Sequence, residues 1–173
     1  MWFNILLMTI LAICVATDLK SRKIYNKIIF PGLGIAFISH LLLGGLQNLF
    51  ASLTGFLIGF GILLIPYFMG GMGAGDVKLL ALIGALKGSS FVLYTGIYMA
   101  ITGGIIALIL LLKGKKLWFF IKSIPYILCG ARYGVKISLS EEESLLTCTY
   151  PYGAAIAAGA VLTFLLDGTV ILW

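Results

Sequence analysis

The sequence predicts an all-α polytopic membrane protein, a bundle of six transmembrane helices with both termini outside. Of its 173 residues, 61% are hydrophobic and 10% are charged. In soluble domains about half of the residues are apolar and about a quarter are charged. The mean hydropathy of +1.14 excludes an ordinary soluble domain and a disordered chain. Most of the apolar residues form runs near the roughly 20 residues that a helix needs to cross a bilayer.

The predicted spans are apolar runs that end at polar or glycine-rich segments. The first run has no Lys or Arg before it, so it lacks the basic start of a signal peptide and is predicted to be retained. An uncharged turn at residues 44–48 separates the second span from the third, and a glycine-rich turn at residues 70–75 precedes the fourth. The six spans are residues 2–17, 28–46, 49–69, 77–86, 91–112 and 151–173.

Basic residues predict the orientation. With the N-terminus outside, the cytoplasmic connections contain eleven of the twelve Lys and Arg residues, in agreement with the positive-inside rule. The fourth run is the weakest span, because its ten residues rise only about 15 Å, half a bilayer. If it were re-entrant, Lys113, Lys115 and Lys116 would lie outside. Charge therefore favours a crossing, with Lys78 and Lys87 snorkelling at its two ends.

Three other features predict structure rather than chemistry. Gly55 and Gly59 form a small-xxx-small pair that is suited to close helix packing. His40 is alone within its span and is predicted to be hydrogen-bonded or interfacial rather than a metal ligand. Residues 117–137 mix aromatic and basic side chains, a pattern that indicates an interfacial helix on the cytoplasmic leaflet.

The chain has only six carboxylate side chains, and most of them predict no chemistry. Glu141, Glu142 and Glu143 form a run that is typical of a solvated face. Asp167 is predicted to be a lone interfacial carboxylate near the outer end of the last span. The two remaining carboxylates, Asp18 and Asp76, are the candidates for chemistry.

Asp18 and Asp76 are predicted to lie at the same face of the membrane, each as the only carboxylate near its own span end. Two carboxylates at one depth suit an aspartyl protease, in which one ionised group takes a proton from water and the other, protonated, polarises the scissile carbonyl. The glycines before Asp76 would let a substrate backbone approach closely. Local sequence leaves open a surface aspartate at Asp18, neutralised by its basic neighbours, and an N-cap at Asp76.

Residues 73–78, Gly-Ala-Gly-Asp-Val-Lys, match the G-x-G-D-x-K signature of the type IV prepilin peptidases, a branch of the GxGD membrane aspartyl proteases. The segment from Asp18 to Asn26 resembles the first motif of that family, D-x5-I-P-N, with Ile24 in place and Tyr25 where the family has proline. Residues 151–156 look like the start of the family's last span. The resemblance covers essentially the whole chain, in order.

The resemblance implies that Asp18 and Asp76 are the catalytic pair of a peptidase that removes the basic leader of prepilin-like membrane proteins at the cytoplasmic face. It implies a multi-pass protein of the inner (cytoplasmic) membrane of a prokaryote, with no cofactor and no metal. The net charge of +6 independently indicates contact with anionic lipids. Because the basic residues lie next to spans and form no recognisable binding motif, a nucleic-acid partner is not expected. Supporting or substrate-binding roles are implied for Gly73, Gly75, Lys78, Ile24, Asn26, Pro151 and Tyr152. The acidic run at residues 141–143 is a second candidate for contact with a basic leader.

The cysteines bear on the domain organisation. Longer members of the family carry a cytoplasmic methyltransferase domain with paired CxxC motifs, whereas Cys14, Cys129 and Cys148 lack metal-ligand spacing. The sequence therefore predicts a single integral-membrane peptidase domain over residues 1–173, without methyltransferase activity.

Three alternatives stay open at the level of sequence. A presenilin-like or signal-peptide-peptidase-like protease shares GxGD, but the basic segment after Asp18 argues against it. A small transporter or ion-conducting bundle could use Asp18 and Asp76 as proton or cation sites, although such sites usually lie near the midplane. The third alternative is a membrane scaffold without chemistry.

Overall fold

The structure, a computed structural model, describes residues 2–21, 24–113 and 152–166, and all of the regular structure in these ranges is helical. This confirms the predicted helical class. The helices, renumbered in chain order, are α1 (Trp2–Ser21), α2 (Asn26–Phe68), α3 (Ala74–Lys87), α4 (Ser89–Lys113) and α5 (Tyr152–Leu166).

Three of these helices are long and apolar enough to cross a membrane. They are α1, α2 and the stretch Ser89–Ile109 of α4, while α5 is a shorter apolar helix. A membrane protein is therefore supported, and the count of six spans and the side of each terminus stay predictions. The interfacial helix predicted at residues 117–137, the acidic run at 141–143 and the end of the last predicted span lie outside the described residues.

The chain groups into two compact units. The first consists of Met1–Gly103 with Pro151–Trp173, and it contains every contact discussed below. The second is Gly104–Tyr150, of which the structure describes only the last turns of α4.

Helix α2 folds back on itself at Gly45, which has φ 64° and ψ −157° inside an otherwise helical segment. The rings of Phe37 and Phe56 are 5.9 Å apart, whereas 19 residues of straight helix would separate them by about 28 Å. The segment thus has two antiparallel arms, residues 26–44 and 46–68. This reversal lies in the uncharged turn that the sequence predicts between the second and third spans.

Helix α3 is the core of the first unit. From Asp76 to Leu86 every residue except Lys78 is buried, as expected of a short helix that is apolar on all sides. Its 14 residues rise about 21 Å, longer than the ten-residue run predicted but still short of a bilayer of about 30 Å. Its burial therefore comes from the surrounding helices.

Glycines let the second arm of α2 lie against the backbone of α3. A Cβ at Gly55 would overlap the carbonyl oxygen of Gly84, and one at Gly59 would lie 2.6 Å from the carbonyl oxygen of Leu80. Between the same two segments, the Ser52 hydroxyl donates to the Ala85 carbonyl at 2.6 Å. The packing role predicted for Gly55 and Gly59 is confirmed.

The first arm of α2 closes the other side of α3. Gly32 lies against Ile10 of α1 and Leu82 of α3, so that a Cβ there would be 3.1 Å from both side chains. Near the C-terminal end of α3, the His40 ring nitrogen Nε2 lies 3.4 Å from the Leu86 carbonyl. The His40 ring also stacks on Phe3, with ring centroids 4.6 Å apart. His40 is therefore the hydrogen-bonded residue that its isolation predicts.

Lys87 joins four helices at the C-terminal end of α3. Its ammonium donates to the side-chain oxygen of Asn4 in α1. It also lies 5.4 Å from the ring centre of Phe91 in α4 and 5.3 Å from that of Phe164 in α5. The sequence predicts a snorkelling cation here, and the structure gives it specific partners at the helix end where a positive charge is favourable.

We expect Gly55→Ala to destabilise the protein because the added methyl group has no space against the Gly84 carbonyl. Overpacking of this kind typically costs about 1–3 kcal/mol, which outweighs the gain of up to about 1 kcal/mol in helix propensity. Thermal unfolding in detergent measures the change.

Gly61→Ala is the matched control, because Gly61 lies on the same arm and an added Cβ there would have nothing within 4 Å. It should leave the melting temperature unchanged or raise it. Equal melting temperatures for the two variants would contradict the close backbone contact as the source of stability.

Candidate active site

Asp18 lies on the buried face of α1, in its last turn. The buried residues of this helix recur at helical spacing, with Leu7, Leu11 and Cys14 leading to Asp18, so the carboxylate continues the core-facing stripe. Asp18 is only 6% exposed. Its Oδ2 accepts the backbone N–H of Gly153 at 3.0 Å, which connects the end of α1 to the first turn of α5.

Asp76 lies in the first turn of α3. The N-cap is Gly73, in extended conformation, so the N-cap position that local sequence allowed for Asp76 is wrong. Glycine has no side chain to cap the helix, and the third helical residue instead reaches back. Oδ2 of Asp76 accepts the Gly73 N–H at 3.2 Å, and the residue is 8% exposed.

Gly75 permits a contact within the chain. A Cβ at this position would lie 2.9 Å from Cβ of Ile24 and 3.4 Å from its carbonyl oxygen. The segment between α1 and α2 therefore rests directly on the start of α3. The sequence predicts that the glycines before Asp76 admit a substrate backbone, and in the structure Ile24 occupies the space beside Gly75.

Lys78 and Asn26 hold the same two segments together from the side. The Lys78 ammonium donates to Oδ1 of Asn26 at 3.0 Å and lies 5.3 Å from the ring centre of Phe30. One contact joins α3 to the first residue of α2, and the other joins it to the next turn. Both residues are placed to position the segment that carries Ile24.

These segments surround one cleft of about 340 Å³, a volume in the range of small-ligand sites. Six of the nine predicted site residues line it. Lys78 does not line the cleft, but it bonds to Asn26, which does. Tyr152 is next to Gly153, and Pro151 lies outside the described residues. The lining residues are Asp18, Ile24, Tyr25, Asn26, Gly73, Gly75 and Asp76.

Sequence reasoning missed two site residues. Tyr25 lines the cleft at the position where the resembled family has proline. Gly153 contributes a backbone N–H to Asp18, a role that leaves no side-chain signature. Its one sequence signal is its place in the run of residues 151–156 at the start of the last predicted span.

The environment of the cleft raises the pKa of Asp76. Burial raises the pKa of Asp76 from 3.8 to about 6, the Gly73 N–H opposes the rise, and the charge of Asp18 adds to it. Two carboxylates on one cleft resist ionising together, so this arrangement suits one protonated and one ionised group.

Among the described residues, no three His, Cys, Asp or Glu side chains are grouped as metal ligands.

The comparisons with known proteins identify a family. A family model described as the type IV leader peptidase family matches residues 5–108, more than half of the chain. The matched range contains both aspartates and the segment between α1 and α2. No curated protein and no solved structure matches the chain significantly.

The raised pKa of Asp76 predicts how stability depends on pH. A carboxyl group whose pKa is higher in the folded than in the unfolded protein stabilises the fold below its unfolded pKa, near 4, and that contribution is lost as the pH rises through about 6. Asp76→Asn keeps an oxygen that can accept the Gly73 N–H, and it has no charge to desolvate. Its stability should match the wild type below about pH 4 and exceed it by up to about 3 kcal/mol above pH 6.

Thermal unfolding in detergent at a series of pH values measures this difference. A variant that is less stable than the wild type at pH 7, or equally stable at every pH, would contradict the elevated pKa.

Proposed function

The chain belongs to the type IV leader peptidase family, and from this membership we propose that it is a membrane-embedded aspartic endopeptidase with Asp18 and Asp76 as its catalytic pair. The observation that carries the proposal is the meeting of these two buried carboxylates on one cleft, although 58 positions separate them in the chain. The signature residues of the resembled family surround the same cleft.

The proposed reaction is hydrolysis of one peptide bond. The ionised carboxylate takes a proton from a water molecule, whose oxygen attacks the scissile carbonyl carbon, while the protonated carboxyl gives its proton to the carbonyl oxygen. Collapse of the tetrahedral intermediate breaks the C–N bond. The leaving nitrogen takes the proton that came from water, and one hydroxyl of the intermediate returns its proton to the other carboxylate, which restores the dyad. The chemistry needs no metal ion or cofactor.

The proposed substrate is a prepilin-like membrane protein whose basic leader is removed at the cytoplasmic face. Family membership supports the substrate class. The predicted topology supports the face, because it places both aspartates on the side that is rich in Lys and Arg. We further propose the inner membrane of a prokaryote as the location. Peptidase action without methyl transfer is proposed because the cysteines lack the CxxC spacing of the methyltransferase domain.

The family match favours this function over the alternatives. A presenilin-like protease, a transporter or a scaffold would not be expected to match the leader peptidase family across residues 5–108. Two described features also support this function: the pKa of Asp76 is raised, and each carboxylate accepts one backbone N–H.

Asp18→Asn and Asp76→Asn should each reduce cleavage of a prepilin-type substrate by at least about 10³-fold, since neither the acid nor the base suffices alone. Both variants should remain folded and membrane-inserted. Cleavage in detergent or native membranes is followed by the mobility shift of the substrate.

Asp167→Asn is the matched control and should cleave normally, because its carboxylate is predicted to lie near the outer end of the last span. Wild-type cleavage should persist in EDTA and without added S-adenosylmethionine. Near-normal cleavage by either dyad variant would refute the proposal, and loss of activity in EDTA would indicate a metalloprotease.

The cytoplasmic site is tested by the sidedness of single cysteines in a cysteine-free background. Residues 20–27 and 113–136 should be shielded from an impermeant thiol reagent in intact cells, and both termini should react. Labelling of residues 20–27 from outside would overturn the cytoplasmic face, and a shielded C-terminus would overturn the six-span topology.

A further inference from the structure

Tyr25 lies on the candidate cleft with its backbone fixed from both sides. The preceding residue, Ile24, rests on Gly75, where an added Cβ would lie 2.9 Å from Cβ of Ile24. The following residue, Asn26, accepts a hydrogen bond from Lys78 at 3.0 Å. Because α3 contacts both neighbours, it holds Tyr25 on the cleft that both aspartates line.

The backbone at position 25 does not need a tyrosine. Tyr25 is the N-cap of α2 and has φ −82° and ψ 127°, close to the φ of about −65° that proline imposes. Among the described residues its N–H donates no backbone hydrogen bond, whereas its carbonyl accepts the N–H of Ile28 at 3.0 Å. Proline would keep this carbonyl, so the tyrosine side chain is not required for the local fold.

The side chain of Tyr25 is available for a contact with another molecule. The residue is 45% exposed, and in the part of the chain that the structure describes its hydroxyl caps no helix and its ring meets no other ring. Elsewhere in this chain, a lysine ammonium lies 5.3 or 5.4 Å from the centre of an aromatic ring at Phe30, Phe91 and Phe164. The ring of Tyr25 has no such partner among the described residues.

The composition of the cleft favours a positively charged ligand group. Among the described residues, those that line the cleft include the carboxyl groups of Asp18 and Asp76 and no Lys or Arg. Lys78 bonds to Asn26 and lies over Phe30 instead. The face of an aromatic ring attracts a cation, and an ionised carboxyl group nearby adds to the attraction.

We propose that Tyr25 is a specificity-determining residue whose ring binds one lysine or arginine side chain of the substrate leader beside the scissile bond. This inference rests on the proposed function and deepens it, because it states which residue recognises the basic leader and where. The contact is made equally in the ground state and the transition state, so it lowers KM and leaves kcat nearly unchanged.

The first test measures cleavage of synthetic prepilin-type peptides. In an otherwise fixed leader, each of about four positions before the cut, a span of about 13 Å in an extended chain, carries either lysine or norleucine. Norleucine keeps the apolar stem of lysine and lacks its charge. At one of these positions the wild type should have a KM about 5- to 10-fold lower for lysine, and equal values at every position would overturn the proposal.

Variants of Tyr25 separate the ring from the backbone. Tyr25→Pro and Tyr25→Ala should reduce the lysine preference to less than about 2-fold, whereas Tyr25→Phe should keep it because the face of the ring remains. Tyr25→Pro should melt no lower than the wild type, because the backbone already suits proline. A preference that survives in Tyr25→Pro, or that disappears in Tyr25→Phe, would contradict a role of the ring.

Tyr67→Ala is the matched control. Tyr67 is a tyrosine of similar exposure, 39%, near the C-terminal end of α2, and it is not among the residues that line the cleft. The variant should keep the lysine preference of the wild type. An equal loss in Tyr25→Ala and Tyr67→Ala would indicate a general effect of interfacial aromatic residues and would overturn the proposed site.

The second test measures binding and needs no cleavage. A fluorescently labelled leader peptide that ends at the cut should bind the wild type in detergent about 5- to 10-fold more tightly with lysine than with norleucine at one of the same positions. Tyr25→Pro should lose this difference and Tyr25→Phe should keep it. Fluorescence anisotropy gives the Kd values.

The two tests separate the two proposals. If the wild type cleaves the peptides but its lysine preference does not depend on Tyr25, the cation site is wrong and the peptidase stands. If the wild type cleaves nothing but binds the lysine peptide through Tyr25, the proposed function fails and the cation site stands. If it neither cleaves nor shows binding that depends on Tyr25, both proposals fail.

Discussion

The burial of α3 on every side is the constraint on which the rest of the structure depends. Within a bilayer, apolar surface alone does not drive helices together, so close van der Waals contact and hydrogen bonds must do so. The two arms of α2 supply both, through Gly55 and Gly59 against the α3 backbone and Ser52 on a carbonyl. Because Asp76 belongs to the first turn of this helix, the same packing sets the position of its carboxylate.

The residues of the two family motifs make direct contacts with one another. Gly75 admits Ile24, and Lys78 bonds Asn26, so the first motif is docked on the second from two directions. This mutual contact gives a physical reason for the spacing. Moving Ile24 by one residue along the segment would place another side chain over Gly75 and remove the lining of the cleft beside both aspartates.

The sequence predicted the features that depend on composition and on side-chain type. Helical class, the reversal near Gly45, the packing glycines and the pair of aspartates could all be inferred, because each has a local pattern. Three features could not be. The capping role of Asp76 depends on where α3 begins, the bond of Gly153 to Asp18 uses a backbone atom, and the partners of Lys87 come from three other helices.

The two aspartates are held by similar backbone contacts. Each carboxylate accepts one N–H from the start of a helix, Gly73 for Asp76 and Gly153 for Asp18. For Asp76 desolvation is the larger effect, and its pKa rises. The bond from α5 to Asp18 joins segments 135 residues apart, so the position of this carboxylate depends on the packing of α1 against α5. Helix ends and burial therefore place both carboxylates on the cleft in a chain that has few polar side chains.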